Sequence, residues 1–420
     1  MRLAVVGAIL LVLGSVAAVS GTLTAAELTA LVDRVVPILL FVAAITVVTE
    51  LASEAGVFLW AGRRLRFWGF GSSLALWLLL ALLATLSTVF LSLDTTAVLL
   101  TPVVVTVVRQ AGLPPLPFVL TTVWLANTTS LLLPVSNLTN LLAQHSLGGL
   151  SPAGFASLMW APALACLLVP MIFLGIVFRR ELGRRYSRFP PGPAGQTGSR
   201  RTGSGQTESH QSESHETGPG QGNTPAPNQA GDRILLATAG AVLVALVPAL
   251  VSGIPVWIPA SAAAVLLTLI FAFRRRQVLT LRLIPWSLLL FASGLFLAME
   301  SFLTLGGSAL LGSLAGEGQD FPDLLRLAAT GAAGANAVNN LPAYLLAEPL
   351  TETPQRMAAL LIGVNAGPLV TPWASLATLL WHERLVRMNV LVSWKGYAVF
   401  GLIIAPLTVV TAVAALAATA

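Results

Sequence analysis

The chain has 420 residues, of which 56% are hydrophobic and only 10% charged, with a mean hydropathy of +0.84. A soluble chain of this length carries about a quarter charged residues, so a water-soluble fold is excluded. The net charge of +6 does not point to nucleic acid, because the arginines flank apolar runs as topological signals do. One cysteine, Cys166, excludes an internal disulfide and a multi-cysteine metal site; it reads as a small packed hydrophobe.

Apolar runs lie near 3–20, 35–58, 67–93, 96–108, 117–142, 155–178, 234–251, 255–273, 285–306, 321–350, 357–381 and 395–416. Most reach the roughly 20 residues that cross a bilayer as helix, and none alternates in polarity as a barrel strand does. The first run, Leu3 to Ser20, has one basic residue before it and no clear cleavage site, and is expected to be retained as a helix. Residues 183–233 are rich in Gly, Ser, Gln, Thr and Pro, without apolar periodicity. They are expected to form a disordered cytoplasmic linker between membrane domains 1–182 and 234–420. His210 and His215 fall in this tract and read as solvated filler; no metal site is expected.

The halves repeat each other. Leu39-Leu40-Phe41 precedes Glu50 as Leu289-Leu290-Phe291 precedes Glu300, and Gly56 and Gly306 follow in register. Asn127 leads Pro134 as Asn365 leads Pro372, and each proline opens a polar tract, 135–140 or 373–378. Ala84-Thr85 and Asp94-Thr95 match Ala329-Thr330 and Asn339-Asn340. Such repeats mark secondary transporters.

Arginine chooses between topologies. If 67–108 and 321–350 are re-entrant hairpins, 20 of the 23 basic residues share one side, and only Arg34, Arg326 and Arg356 face the other. Making 67–86 a full crossing reduces the split to 17 against 6. The positive-inside rule therefore favours an all-α integral membrane fold of two inverted repeats. It has about nine crossing helices, two re-entrant hairpins and two broken helices. The N-terminus and linker are cytoplasmic and the C-terminus lies outside.

Hairpin tips and helix breaks at membrane depth persist only where protein or a water-filled cavity satisfies the backbone. Pro134 and Pro372 each remove a helical donor. The candidate substrate site is therefore Asp94, Thr95 and Thr96 at one tip and Asn336, Asn339 and Asn340 at the other. To these the breaks add Asn127, Ser136, Asn137, Asn140, Asn365, Ser375 and Thr378. Asp94, Glu50, Glu54 and Glu300 are the proton-coupling candidates, since an ionisable group in a membrane span is functional by default. Thr46 is assigned to structure. No membrane histidine motif or Ser/Lys pair supports an intramembrane enzyme, and Gly-Ala-Ala-Gly at 331–334 reads as close helix packing rather than a nucleotide loop.

Ala-Val-Asn-Asn-Leu-Pro-Ala (337–343), Gly-Val-Asn-Ala-Gly-Pro-Leu-Val-Thr-Pro-Trp-Ala-Ser-Leu-Ala-Thr-Leu-Leu-Trp (363–381) and Pro-Val-Ser-Asn-Leu-Thr-Asn (134–140) resemble the bacterial arsenite-efflux permeases, the arsenical pump membrane proteins. So do Asp94 with Leu-Thr-Pro (100–102), Glu54-Ala-Gly-Val-Phe and Ser-Trp (393–394). The resemblance covers nearly the whole chain except the linker. It implies export of arsenite and antimonite as neutral trihydroxides by proton antiport, with an elevator-like movement in the bacterial plasma membrane. It also implies no cofactor, and allows a soluble ATPase subunit and a homodimer. Asp94, Ser136, Asn137, Asn340, Asn365, Ser375 and Thr378 occupy motif positions. The pattern departs at Leu93-Asp94-Thr95, where the family usually has Asn-Asp-Gly, and at Ala374, where it has Gly. The family's first N-terminal helix has no counterpart. Other carriers of the wider ion-transporter superfamily, for organic anions or sodium–proton exchange, share the hairpin pattern.

Overall fold

The computed structural model describes residues 2–187, 232–306, 312 and 314–419. Most of the expected linker, 188–231, therefore lies outside the described residues. The described chain is helical, with one isolated antiparallel bridge between Ser72 and Arg185. The principal helices are α1 (Arg2–Ala17), α2 (Ala25–Glu54), α3 (Val57–Trp68), α4 (Ser73–Leu91), α5 (Thr101–Gln110), α6 (Leu116–Thr128), α7 (Leu138–Ser146) and α8 (Pro152–Val177) in the first half. The second half contains α9 (Arg233–Val251), α10 (Trp257–Arg274), α11 (Trp286–Thr304), α12 (Phe321–Ala337), α13 (Asn340–Ala347), α14 (Pro354–Ala366), α15 (Leu376–Arg387) and α16 (Trp394–Thr419).

Nine helical segments among the described residues are long and apolar enough to cross a membrane, so this is a multi-pass membrane protein. The number equals the expected count of crossings, but the members differ. Ser73–Leu91 and Leu93–Gln110, read from sequence as hairpin arms, are among the nine, whereas the broken pairs α6–α7 and α14–α15 are not.

Short polar residues set the helix starts. Thr24 and Glu27 form a capping box on α2, with Glu27 N–H donating to Thr24 Oγ1 at 3.2 Å and Thr24 N–H to Glu27 Oε2 at 2.7 Å. Ser72, Ser151, Asp320 and Thr353 cap α4, α8, α12 and α14, each side chain accepting one backbone N–H of the first turn. Glycines allow helices to close on one another. A Cβ on Gly294 of α11 would lie 2.3 Å from the Gly7 carbonyl oxygen of α1, so these helices touch backbone to backbone. Cys166 is fully buried, and Gly331 and Gly334 face α14 and α13 closely, as the packing reading of 331–334 expects.

Two pairs of elements at matched positions in the halves agree in length. α6 and α14 are each 13 residues long, α8 and α16 each 26. Gly56 and Gly306, which follow α2 and α11, both adopt left-handed backbone, with φ 86° and 88°. Long-range packing exchanges partners: α1 lies along α11, α10 along α2, and α8 along α16.

Each half also contains one chain reversal built on a strained non-glycine residue. Ser92 (φ 106°, ψ 159°) separates α4 from the segment leading into α5, and Asn339 (φ 153°, ψ 160°) separates α12 from α13. An L side chain rarely adopts such backbone, and where it persists the surroundings enforce it. The strained residue of the first reversal stands two positions before Asp94, the residue that sequence spacing matches to Asn339. Both ends of the first reversal return to α3: a Cβ on Gly62 would meet Val103 and Val107 of α5 at 2.7 and 3.0 Å, while Gly69 abuts Leu76 of α4. In the second, the buried Arg356 guanidinium donates to the carbonyls of Gly316 (2.7 Å) and Gly318 (2.8 Å) before α12 and to Leu350 (3.0 Å) after α13.

Candidate functional site

The two helix breaks meet in the buried centre. After α6 the chain passes through short 3-10 turns, Thr129–Leu131 and Pro134–Ser136, then an extended Asn137 that caps α7. After α14 it stays non-helical until an extended Ser375 precedes α15. Pro134 thus opens a 3-10 turn and Pro372 lies in the irregular stretch, so neither kinks a continuous helix.

Side-chain amides connect the breaks. Asn365 Nδ2 donates to Asn140 Oδ1 at 2.8 Å. Its Oδ1 accepts from Asn137 Nδ2 at 2.8 Å and from Thr139 Oγ1 at 2.9 Å. Asn127 Nδ2 donates to the Val123 carbonyl at 2.9 Å and reaches Thr378 Oγ1 at 3.4 Å. The Asn365–Asn140 and Asn127–Thr378 contacts join the same two positions with the halves exchanged. Asn140 Nδ2 serves the freed carbonyls of Ser130 (2.6 Å) and Leu133 (3.0 Å), the compensation that non-helical backbone needs at depth. Three buried oxygens at this crossing, Asn127 Oδ1, Thr128 Oγ1 and Ser375 Oγ, have no hydrogen-bond partner among the described residues.

The two reversals are tied to the breaks differently. The first is held lightly: Ser136 Oγ donates to the Val89 carbonyl at 3.0 Å, Thr88 Oγ1 to Thr96 Oγ1 at 2.9 Å, and Thr95 Oγ1 to the Leu91 carbonyl at 3.1 Å. The second is stapled. Asn336 Nδ2 donates to the Gly367 carbonyl at 2.8 Å, and Asn336 Oδ1 accepts from the N–H groups of Val370 (3.2 Å) and Thr371 (3.1 Å). Trp373 Nε1 donates to the Asn336 carbonyl at 2.9 Å, Asn339 Nδ2 to the Trp373 carbonyl at 2.9 Å, and the Asn340 N–H to the Ala374 carbonyl at 3.0 Å.

Asp94 is half-buried and its carboxylate has no hydrogen-bond or ion-pair partner among the described residues. It borders two cavities. One, of about 450 Å³, also contacts Glu50, Thr95 and Arg282. The other is a chamber of about 50 Å³ that reaches Ser92 and Asn137. Thr46, which donates to the Val42 carbonyl at 2.7 Å as its structural assignment expects, also borders both. Leu141 separates the chamber from a third cavity, of about 480 Å³, beside Asp33, Arg34 and His145.

Of the residues expected from sequence, Asn127, Asn137, Asn140, Asn365 and Thr378 form one network, which Ser375 adjoins. Asp94, Thr95 and Thr96 lie beside it with Ser136. Asn336, Asn339 and Asn340 bond to the second break instead. The four acids do not converge. Glu50 shares the larger cavity with Asp94. Glu54 is exposed, and its backbone carbonyl accepts from Arg275 at 3.1 Å. Glu300 stands elsewhere, within electrostatic range of Arg34 and Glu348. That ion pair joins α2 to the end of α13, and Ser146 (2.5 Å) and Tyr344 (3.0 Å) also donate to Glu348 Oε1. Thr139 and Ser130 were missed. Thr139 lies inside the tract 135–140, where its counterpart is Ala377, so the repeat criterion hid it.

The citrate transporter family profile matches residues 2–378. The chain is 27% identical over 398 residues to the arsenical pump membrane protein of Escherichia coli, covering 89% of this chain and 84% of that one. It is equally similar to its namesake in Yersinia enterocolitica, with the same coverage, and 26% identical to that of Shigella flexneri.

Proposed function

From the membership of this chain in the citrate transporter family, we propose that it is a secondary carrier that exports arsenite and antimonite as neutral trihydroxides in exchange for protons. The observation that carries the reading is Asp94, a carboxylate without a partner at the boundary between a wide cavity and a small chamber lined by Asn137. A neutral polyol needs no cationic pocket. It needs donors and acceptors, and the unpaired oxygens of Asn127, Thr128 and Ser375 stand beside the amide network. Asp94 exchanges the proton and Thr95, Thr96, Ser136, Asn137, Asn140, Asn365 and Thr378 hold the substrate, while Asn336, Asn339 and Asn340 brace the second break beside them. Glu50, in the same cavity, is the second proton station.

The reversals are read as re-entrant hairpins of an inverted repeat. The return of α4 and α5 to α3, and the closure of α12–α13 by Arg356, support this. They move as an elevator against a framework of α1, α2, α10 and α11. The protein lies in a bacterial plasma membrane with the arginine-rich face in the cytoplasm. Export requires no ATPase subunit.

The test is arsenite accumulation in an arsenite-sensitive bacterium expressing the chain. Lower accumulation that a protonophore reverses is expected; unchanged accumulation with protein in the membrane rejects the reading. A second reading, exchange of an organic anion such as citrate, is favoured by Arg282, a cation on the wall of the Asp94 cavity. Citrate uptake by proteoliposomes, lost in Arg282→Gln, would establish it instead.

A further inference from the structure

A groove of about 710 Å³ runs between α3, α4 and α9 and shares no lining residue with the two cavities beside Asp94. Its walls are apolar and face outward: Trp60 of α3 is 56% exposed, Leu86 of α4 46% and Val244 of α9 74%. In a bilayer such walls are covered by hydrocarbon rather than water. The floor is open at Gly240, where an added Cβ would meet nothing within 4 Å. From Arg233 to Val247 the lining follows about four turns of α9, roughly 21 Å at 1.5 Å per residue, which exceeds the roughly 15 Å of one leaflet's hydrocarbon.

The mouth is charged. Arg233 borders the groove and has no hydrogen-bond or ion-pair partner among the described residues. Its neighbour Asp232 does not neutralise it: that carboxylate caps α9 and pairs with Arg274 at 2.9 Å. The other polar lining residue is Ser87 of α4. An apolar slot of acyl length with an unpaired guanidinium at its mouth matches one molecular class.

We infer that this groove binds one anionic phospholipid, its acyl chain along α9 and its phosphate against Arg233. The lipid fills the space between α4, which leads to the Ser92 reversal, and α9, so it is a filler between two walls of the protein rather than part of the annular shell. Attraction of an anionic headgroup to the Arg233 guanidinium gives about a fivefold preference over a zwitterionic lipid.

The test uses the full chain purified in detergent and exposed to phosphatidylglycerol or phosphatidylcholine, with bound lipid counted by native mass spectrometry and stability read by thermal melting. One phosphatidylglycerol retained at least fivefold over phosphatidylcholine, with a raised melting temperature, is expected. Arg233→Gln should remove the preference while leaving the lipid-free melting temperature unchanged. Gly240→Phe, whose ring projects from the open floor into the groove, should remove the retained lipid altogether. Equal retention of both lipids by the wild type, or full retention by Gly240→Phe, overturns the inference. So does a wild-type dimer that Gly240→Phe converts to monomer, because a second copy would then occupy the groove.

Discussion

The two chain reversals invite comparison because each turns on a non-glycine residue with positive φ, Ser92 in the first half and Asn339 in the second. Around Asn339 the polar side chains are committed. Asn336, Asn339 and Trp373 bond to backbone on the facing segment, so the reversal and the break behind it form one cross-linked unit. Around Ser92 the hydroxyls bond mostly to one another and to nearby carbonyls, while the Asp94 carboxylate faces cavities with no hydrogen-bond or ion-pair partner among the described residues. Repeated sequence thus supports two divisions of labour. One reversal is braced; the other retains the group that can change charge.

The sharpest way to break this comparison is to exchange the effects of mutation. Asp94→Asn is expected to abolish proton-coupled transport, a loss of at least tenfold in initial rate, at unchanged membrane abundance and melting temperature; transport at the wild-type rate would remove Asp94 from the coupling. Asn365→Ala should act on stability first. It leaves Asn137, Thr139 and Asn140 each short of a buried partner, costing about 1–3 kcal/mol, and lowers the detergent melting temperature by several degrees. Asn336→Ala removes three bonds to the second break and should also reduce stability, by about 1–2 kcal/mol given the modest worth of polar contacts between membrane helices. If it instead stops transport while the melting temperature holds, the second reversal is not merely braced. Trp373→Phe, which removes the indole donor and trims a half-exposed ring, should cost about 0.6 kcal/mol through the lost hydrogen bond and leave transport intact.

The smallest effect concerns pH. Hydrogen bonding from Arg274 holds the Asp232 carboxyl below the usual carboxylate range. A depressed folded value means the pair contributes fully above the ordinary Asp value and is lost as pH falls through the lowered one. Wild type and Asp232→Asn should therefore differ slightly in melting temperature at neutral pH and converge on acidification. A difference that persists at acid pH would assign the effect to capping alone.

Much of this was legible from the repeat. Matching Asn127 with Asn365 and Pro134 with Pro372 located both breaks, because a helix interruption at membrane depth needs compensating amides, and those are rare enough in an apolar chain to stand out. The capping residues and left-handed Gly56 and Gly306 follow from local chemistry. What sequence did not provide was the allocation of bonds. Asn336, Asn339 and Asn340 carry the same side chain as Asn365, and whether an amide serves backbone or bridges the two halves depends on which segment packs opposite. The first reversal turns at Ser92, two residues before the tip expected at Asp94, since spacing aligns residue types and not backbone angles. Thr139 was hidden because its counterpart is alanine.

The exchanged contacts Asn365–Asn140 and Asn127–Thr378 have a consequence for how the chain is made. When the ribosome has completed α7, Asn140 still lacks its donor, which lies more than 200 residues downstream in α14. The first half therefore leaves the insertion machinery with a polar centre that only the second half can complete. Two polypeptides divided in the linker should be unstable when expressed singly, and should regain a protease-resistant membrane assembly when produced together.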